Sequence, residues 1–268
     1  QDGNINYQAY GKEGQAIYSV SRGGLNCVLM DESEKSGATI HYNERCTHVD
    51  LDKNIASFEN IVTGHKQTLT ADLIISSDGA YSAGRLSLLF TDRFNYSQSY
   101  LEHGYKELTI PPAADGTHQL DKNALHIWPR GGYMLIALPN MDGSFTCTLF
   151  FPFEGSPSFA ELNSKEKVSA FFKEVFADAY NLMPTLEDDF FNNPTGSLMT
   201  VKCFPWTWKN QVALIGDAAH AIVPFYGQGM NCGFEDCVEL NDLIVKHNHD
   251  WSKIMPEYQL QRKPNSDA

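Results

Sequence analysis

The sequence predicts an α/β fold interrupted by a mostly antiparallel block. Three observations carry this. "DLIISSDGA" (72–80) and "QVALIGD" (211–217) are short apolar runs that end at an Asp next to a Gly, the pattern of strands buried in a parallel sheet that turn sharply at their carboxyl ends. Between Phe90 and Thr200, "ALHIWPR", "YMLIALPN" and "FTCTLFF" follow one another as strands, separated by Arg130-Gly131-Gly132 and by Asn140-Met141-Asp142-Gly143, both turn signals. A helix follows the second acidic turn, through a loop containing Gly227 and Gly229.

In chain order, Ala16–Val20 alternates like a strand, and Ser21-Arg22 opens a helix with Leu25, Val28 and Leu29 on one face. "ATIHYN", "THVDLD", "IASFEN" and "KQTLTA" are short alternating segments split by turn residues and read as a β-meander. The 72–80 run fits a strand buried on both faces. After the three middle strands, Ser164–Ala177 has Val168, Phe171, Phe172 and Val175 at helical spacing and would cover the antiparallel sheet. "SLMTVKCF" and the 211–216 run return to strands, and Gly229–Lys246 is helical, with Phe234, Val238 and Leu243 among its apolar positions. The expected organisation is a first domain over 1–90, an inserted domain over 91–200, and a return to the first over 201–268.

A net charge of −13 over 268 residues argues against nucleic acid or an anionic membrane as the main partner. No run of about 18 apolar residues encodes a membrane span. The six cysteines, at 27, 46, 147, 203, 232 and 237, form no C-x-x-C pair. They read as reduced thiols in a reducing compartment.

The chemistry concentrates in "ALIGDAAHAIVPFYGQGMNCGFED" (213–236). Gly216 permits a tight exit from the strand, leaving Asp217 at the carboxyl end, where α/β sheets bind ligands. A carboxylate there suits a polyol hydroxyl, which can donate to it. Pro224 stiffens the loop, and Gly227 and Gly229 let the backbone approach a flat ligand. The helix start would aim amides and a positive dipole end at a group that develops negative charge. The bland reading of Asp217 is a capping carboxylate. Gly227-x-Gly229-x-x-x-Gly233 is not the dinucleotide fingerprint, and no G-x-G-x-x-G occurs in the chain. Asp78-Gly79, with Arg85 seven residues on, repeats the strand-end acid but is also a common turn. Arg22 could pair a phosphate or be a solvated first-turn side chain. No His/Cys/carboxylate cluster with metal-ligand spacing stands out.

Asp-Gly after one strand, Gly-Asp-Ala-Ala-His after a later one and an Arg-led helix upstream together resemble the single-component FAD-dependent aromatic hydroxylases. "IYSVSR", "DGAYS", "HGYKELTIPP", "LHIWPR", "IALPNM", "SFTCTLF" and "GDAAHAIVPFYGQGMNCGFEDC" resemble that family's kynurenine-hydroxylating branch. The resemblance implies an FAD/NAD(P)-binding Rossmann-like α/β domain, incomplete because the N-terminal βαβ unit is absent, with an inserted antiparallel-sheet substrate domain. It implies FAD and NADPH as cofactors, and L-kynurenine and O2 as substrates. Asp217 would hold the flavin ribityl chain; Asp78 and Gly79 would serve both flavin and nicotinamide cofactor. Arg22 would contact FAD, with Cys46 and Ala83 as backbone neighbours. Gly229, Met230 and Asn231 would present the helix start to the isoalloxazine. Tyr10 would bind the substrate carboxylate. Tyr18, Leu125, Met134, Ile136, Leu138, Phe150, Pro224 and Phe225 would cage the ring, with Tyr226 where relatives carry Phe or His. Met134, Ile136 and Leu138 share one strand face by the period of two; without the resemblance, core packing is their default. His126 and Trp128 are structural, and no side chain is assigned a catalytic proton because the flavin carries the chemistry.

The family's arginine before Tyr10 and its later helices, which in eukaryotic members carry a membrane anchor, are also absent. The chain is therefore expected to correspond to the central part of such an enzyme, cytoplasmic, or at the mitochondrial outer membrane if the whole protein is eukaryotic. A hydroxylase for another aromatic acid is the alternative within the class. A binding or folding unit without catalysis is the alternative outside it.

Overall fold

A computed structural model describes residues 5–9, 11, 12 and 15–267. The chain divides into two compact units, Gln1–Ile40 with His103–Gly196, and His41–Glu102 with Ser197–Ala268. The middle block therefore spans 103–196, inside the expected 91–200, and the residues up to 40 group with it rather than with the outer unit. The boundaries at 102/103 and 196/197 fall within two long strands, β5 and β9 below, while the one at 40/41 falls in an irregular segment. Ser19 ties the early segment to the middle block through its hydroxyl, which donates to the Pro139 carbonyl at 2.7 Å.

In the outer unit, β1 (Glu44–Asp50), β2 (Ile55–Asn60) and β3 (Lys66–Thr70) form an antiparallel meander. "ATIHYN" does not join it. Asn43 has φ +62°, a left-handed backbone that breaks extension, so pairing begins at Glu44↔Asn60. β4 (Ile74–Ser76) is followed by α2 (Ala83–Leu88). After the middle block come β10 (Thr207–Trp208), β11 (Val212–Leu214), the one-turn α6 (Asp217–His220), a 3-10 turn (Pro224–Tyr226), α7 (Gly229–Lys246) and α8 (Trp251–Asp267). β11 lies between β10 and β4 and pairs with β4 in parallel, Val212↔Ile74 to Leu214↔Ser76. β11 is buried throughout. β4 is the edge strand, and Ile75 is 40% exposed, so the expected burial on both faces holds for β11 only.

The outer core gathers Leu88, Trp206, Leu214, Ala219, Leu240, Leu243, Ile254 and Tyr258. α7 buries Asp236, Leu240 and Leu243, spaced i, i+4, i+7, while Phe234 and Val238 are exposed. Leucines and a charged residue, not the predicted aromatic, thus form its inner stripe.

In the middle unit, α1 (Arg22–Lys35) is capped by the Ser21 hydroxyl, which accepts from Gly24 N, but it buries no residue. Leu25 is half-buried, and Val28 and Leu29 on the same face are exposed. Ala16–Val20 is not a strand, because no strand among the described residues pairs with it. β5 (Asn95–Ile110), β6 (His126–Pro129), β7 (Met134–Pro139), β8 (Phe145–Pro152) and β9 (Thr195–Phe204) form one sheet in the order β6-β7-β8-β5-β9. α3 (Lys165–Val175), α4 (Ala177–Tyr180) and α5 (Leu186–Asn192) complete the unit. Val168, Phe172, Phe176 and Leu186 pack with Leu108, Leu135, Ala137, Phe145 and Leu149 from the sheet. The pleat alternates, so the odd positions of β7, Leu135 and Ala137, enter this core while Met134, Ile136 and Leu138 point to the other face.

Gly84 sets how closely α2 approaches β4. A Cβ there would lie 2.0 Å from Ser76 Oγ and 2.6 Å from Ser76 Cβ. We expect Gly84→Ala to destabilise the fold by about 1–3 kcal/mol through overpacking, and Ser76→Gly in the same chain to restore part of that loss. Urea denaturation of the two variants checks this.

Candidate functional site

Two acidic turns sit past the carboxyl ends of the neighbouring parallel strands. Because Leu214 pairs with Ser76, Asp217 and Asp78 follow paired positions by three and two residues, and both turns leave the sheet at the same edge. Ile215 N–H continues the pairing, donating to the Ser76 carbonyl at 3.1 Å.

At the first turn, Gly216 adopts φ 60°, ψ −142°, a conformation L residues rarely enter. Its carbonyl accepts the Ala219 and His220 amides at 2.8 and 3.0 Å, which closes α6. Asp217 is exposed, and its carboxylate has no hydrogen-bond or ion-pair partner among the described residues. Its Oδ1 lies 4.0 Å from where a Cβ on Gly229 would stand, so carboxylate and α7 start are neighbours. No side chain caps α7, whose first amides lack intrahelical acceptors. Gly227, at φ +63° with open space where a Cβ would be, turns the chain into the helix. Pro224 and Phe225 of the 3-10 turn are exposed, as are Met230 and Asn231, and the Asn231 amide donates to Gln228 Oε1 at 3.1 Å. Of Tyr226 only the backbone is described.

At the second turn, Asp78 Oδ2 accepts the Ala83 and Gly84 amides at 2.7 and 3.3 Å, and Oδ1 accepts the Ser82 hydroxyl. Ser82 Oγ accepts Arg85 N at 2.9 Å. Asp78 therefore closes the start of α2, and the Ala83 amide is spent within the chain. Gly79 has φ +80° and open space around it. Burial, and then the charge of Asp78, push the Cys46 thiol up. Arg85 is 2% exposed. It donates to the carbonyls of Ala218, at 2.8 Å, and Ala80, and lies 5.2 Å from the Tyr96 ring. It links α2 to α6 and is no surface phosphate ligand.

Behind the first turn lies a buried polar network that spacing did not reveal. Asp236 Oδ2 is 2.6 Å from His220 Nε2 and accepts Gly216 N–H at 2.9 Å; Oδ1 accepts Arg262 Nε at 2.7 Å. Cys232 Sγ is 3.7 Å from His220 Nδ1. His220, Cys232 and Asp236 thus meet, with ligand-type atoms within 4.8 Å of one another, against the expectation that no such cluster forms. Sequence spacing hid it because a loop and a helical turn separate its members. The Arg262 guanidinium, on Asp236 and 3.5 Å from Cys232 Sγ, stands where a cation would.

In the middle unit, Met134 pairs across the strands with Phe150, Ile136 with Thr148 and with Ile127, and Leu138 with Thr146. Met134, Ile136 and Leu138 are half-buried and Phe150 is 3% exposed, so they make one apolar wall. Leu125 is half-buried just before β6, Tyr18 is 92% exposed, and Arg22 is exposed at the start of α1. His126 bonds the Asp121 carbonyl at 2.9 Å, and Trp128 donates to Asp178 at 2.7 Å, both structural uses. Tyr10 lies outside the described residues. All six cysteines are free, and no helix among the described residues is long and apolar enough to cross a membrane.

Comparison with known proteins agrees with this architecture. The family model described as FAD binding domain matches residues 3–266. The chain is 52% identical over 264 residues to kynurenine 3-monooxygenase of Flavobacterium johnsoniae, covering 98% of this chain and 59% of that protein. It is 50% identical over 276 residues to kynurenine 3-monooxygenase of Dictyostelium discoideum, again covering 98% and 59%. The chain thus spans under two thirds of the length of these relatives. Among solved structures, a variant of 2-methyl-3-hydroxypyridine-5-carboxylic acid oxygenase aligns with a TM-score of 0.72 at 21% identity, over 92% of this chain and 63% of that one. Klebsiella pneumoniae HpxO complexed with FAD and uric acid aligns at 0.66 and 20%, over 92% and 60%. With the family model matched over nearly its whole length and the fold of such oxygenases, this chain belongs to the FAD binding domain family.

Proposed function

We propose that this chain forms the flavin-holding and substrate-holding part of a monooxygenase that converts L-kynurenine to 3-hydroxykynurenine with FAD, NADPH and O2. The observation that carries it is the Asp217 turn: a carboxylate without a partner among the described residues, at a strand's carboxyl end, beside a helix that no side chain caps and whose first residue is glycine. The donor set fits FAD. Asp217 would accept from the ribityl hydroxyls, and the amides of Gly229, Met230 and Asn231 would donate to the isoalloxazine edge. The Asp78–Gly79 turn lies at the same sheet edge; Asp78, already the cap of α2, would act there chiefly by shaping the loop. Cys46, Ala83 and Arg22 remain proposed FAD neighbours. FAD, when bound, would supply the oxygen-activating and oxygen-transferring chemistry, with NADPH as the reductant.

The protein's share is binding, orientation and exclusion of water. Met134, Ile136, Leu138 and Phe150 offer an apolar wall for an aromatic ring; Leu125, Tyr18, Pro224, Phe225 and Tyr226 remain proposed ring contacts on the resemblance alone. Tyr10 would take the amino-acid carboxylate. His220 is 3% exposed and bonded to Asp236, so it holds structure and exchanges no proton with substrate. The free thiols favour a reducing, cytoplasmic setting.

Two tests in the full-length protein follow. Asp217→Ala removes a charge-assisted hydrogen bond worth roughly 1.5–3 kcal/mol, so the FAD dissociation constant should rise tenfold or more in a protein with unchanged circular dichroism. Equal affinity for FAD would remove Asp217 from the site. Wall and core can be separated on β7. Leu135→Ala, at a fully buried position, should cost about 2–5 kcal/mol of stability and leave the kynurenine KM alone. Ile136→Ala should cost little stability but raise KM by roughly five- to thirtyfold, the loss of about 1–2 kcal/mol of apolar contact. A flat KM response at Ile136 would point to another aromatic acid or another wall.

A further inference from the structure

Asp236 is the one fully buried carboxylate among the described residues, and it sits on the face of α7 turned to the Gly216–Asp217 turn. We infer that Asp236 is a positioning residue for the cofactor: through Gly216 and His220 it holds the turn that carries Asp217, and Arg262 of α8 holds Asp236. The inference rests on the assignment of Asp217 to FAD.

The geometry is a closed ring. Gly216 N–H and His220 Nε2 both meet Asp236 Oδ2, at 2.9 and 2.6 Å. His220 N–H returns to the Gly216 carbonyl at 3.0 Å. The residue before Asp217 and the last residue of α6 are therefore fastened to one carboxylate oxygen, so a shift of Asp217 must move α7 or break a buried bond. The other oxygen is taken by Arg262 Nε at 2.7 Å, and Arg262 is itself 0% exposed. Arg262 also pairs with Glu235 at 2.9 Å and donates to the Cys232 carbonyl at 3.3 Å, which registers α8 against the first turns of α7. Trp206 covers His220 at a ring distance of 5.1 Å.

A buried ion pair is poor value as a pure stabiliser, since apolar residues of similar volume often serve as well. What it adds is direction: Gly216, held at φ 60°, needs an acceptor at a fixed place, and no apolar side chain can supply one. Burial by itself would raise the Asp236 carboxyl; hydrogen bonds from His220, Arg262 and Gly216 outweigh it and leave the carboxyl below its ordinary range. Asp236 therefore stays an acceptor on both oxygens.

The test is a double-mutant cycle in the full-length protein, read by flavin fluorescence as the FAD dissociation constant. Asp236→Asn keeps the volume but cannot accept on both sides. It should weaken FAD at least fivefold, and adding it to Asp217→Ala should weaken FAD no further than Asp217→Ala alone, because the effect passes through Asp217. A loss below fivefold for Asp236→Asn, or losses that multiply in the double variant, overturns the inference while leaving the Asp217 assignment standing. Wild-type affinity in Asp217→Ala removes that assignment first, and this inference with it. If Asp236→Asn does not fold, His220→Leu and His220→Gln replace it. Leu removes the donor to Asp236 and should weaken FAD at least fivefold, whereas Gln keeps a donor and should not; equal affinities in the two overturn the inference.

Discussion

The parallel pairing of β4 with β11 is the constraint from which the rest follows. Its two strands are more than a hundred residues apart, and parallel strands cannot be joined by a hairpin. Here the crossover contains residues 103–196 of the middle unit. That block can be antiparallel because it need only return the chain to the same sheet. The pairing also fixes chemistry: with Leu214 opposite Ser76, the Gly216-Asp217 and Asp78-Gly79 turns leave one edge together. Around that edge the contacts serve the same registry. Gly84 lets α2 lie against Ser76, and Arg85 reaches from α2 to the Ala218 carbonyl of α6.

Features set by short-range chemistry were readable in the sequence. The Gly216 turn, the helix start at Ser21-Arg22, the middle hairpins and the helical span of α7 are each decided by residues within a few positions of one another. Features that depend on partners were not. Ala16–Val20 has strand alternation but no partner strand in the described chain, and α1 has an apolar stripe that leaves Val28 and Leu29 exposed. On α7, Phe234 and Val238 are as apolar as Leu240 and Leu243; only the position of β11 and α8 decides which pair goes inside. β5 carries a period-two burial pattern from Gly104 to Ile110, a strand signal in "GYKELTI" hidden by a lysine on the buried side. That lysine, Lys106, directs its ammonium to the Asn193 carbonyl at 2.8 Å.

The candidate site divides along the same line. Asp217 stood out by its place after a strand and before a glycine loop. Asp236 did not, because an acidic residue inside a helix reads as a solvated face until its burial is known. Nor did Arg262, 26 residues further on. The one trace in sequence is that Asp236 falls at i+4 and i+7 spacing from residues that prove buried, so it belongs to the inner stripe of its helix.

Three carboxylates of this unit differ in how their oxygens are used, and this separates structure from site. Asp78 receives three donors from its own loop. Asp236 receives Gly216, His220 and Arg262 from three elements. Asp217 receives none among the described residues, although it is joined to Gly216, the residue Asp236 holds. A carboxylate fixed by its backbone yet left without a partner gains nothing for the fold; the fold has spent a strained glycine and a buried ion network on its position. The exposed oxygens of Asp217 are solvated, and a hydroxyl-bearing ligand that replaced that water would find the carboxylate already placed, at little further cost in ordering the protein.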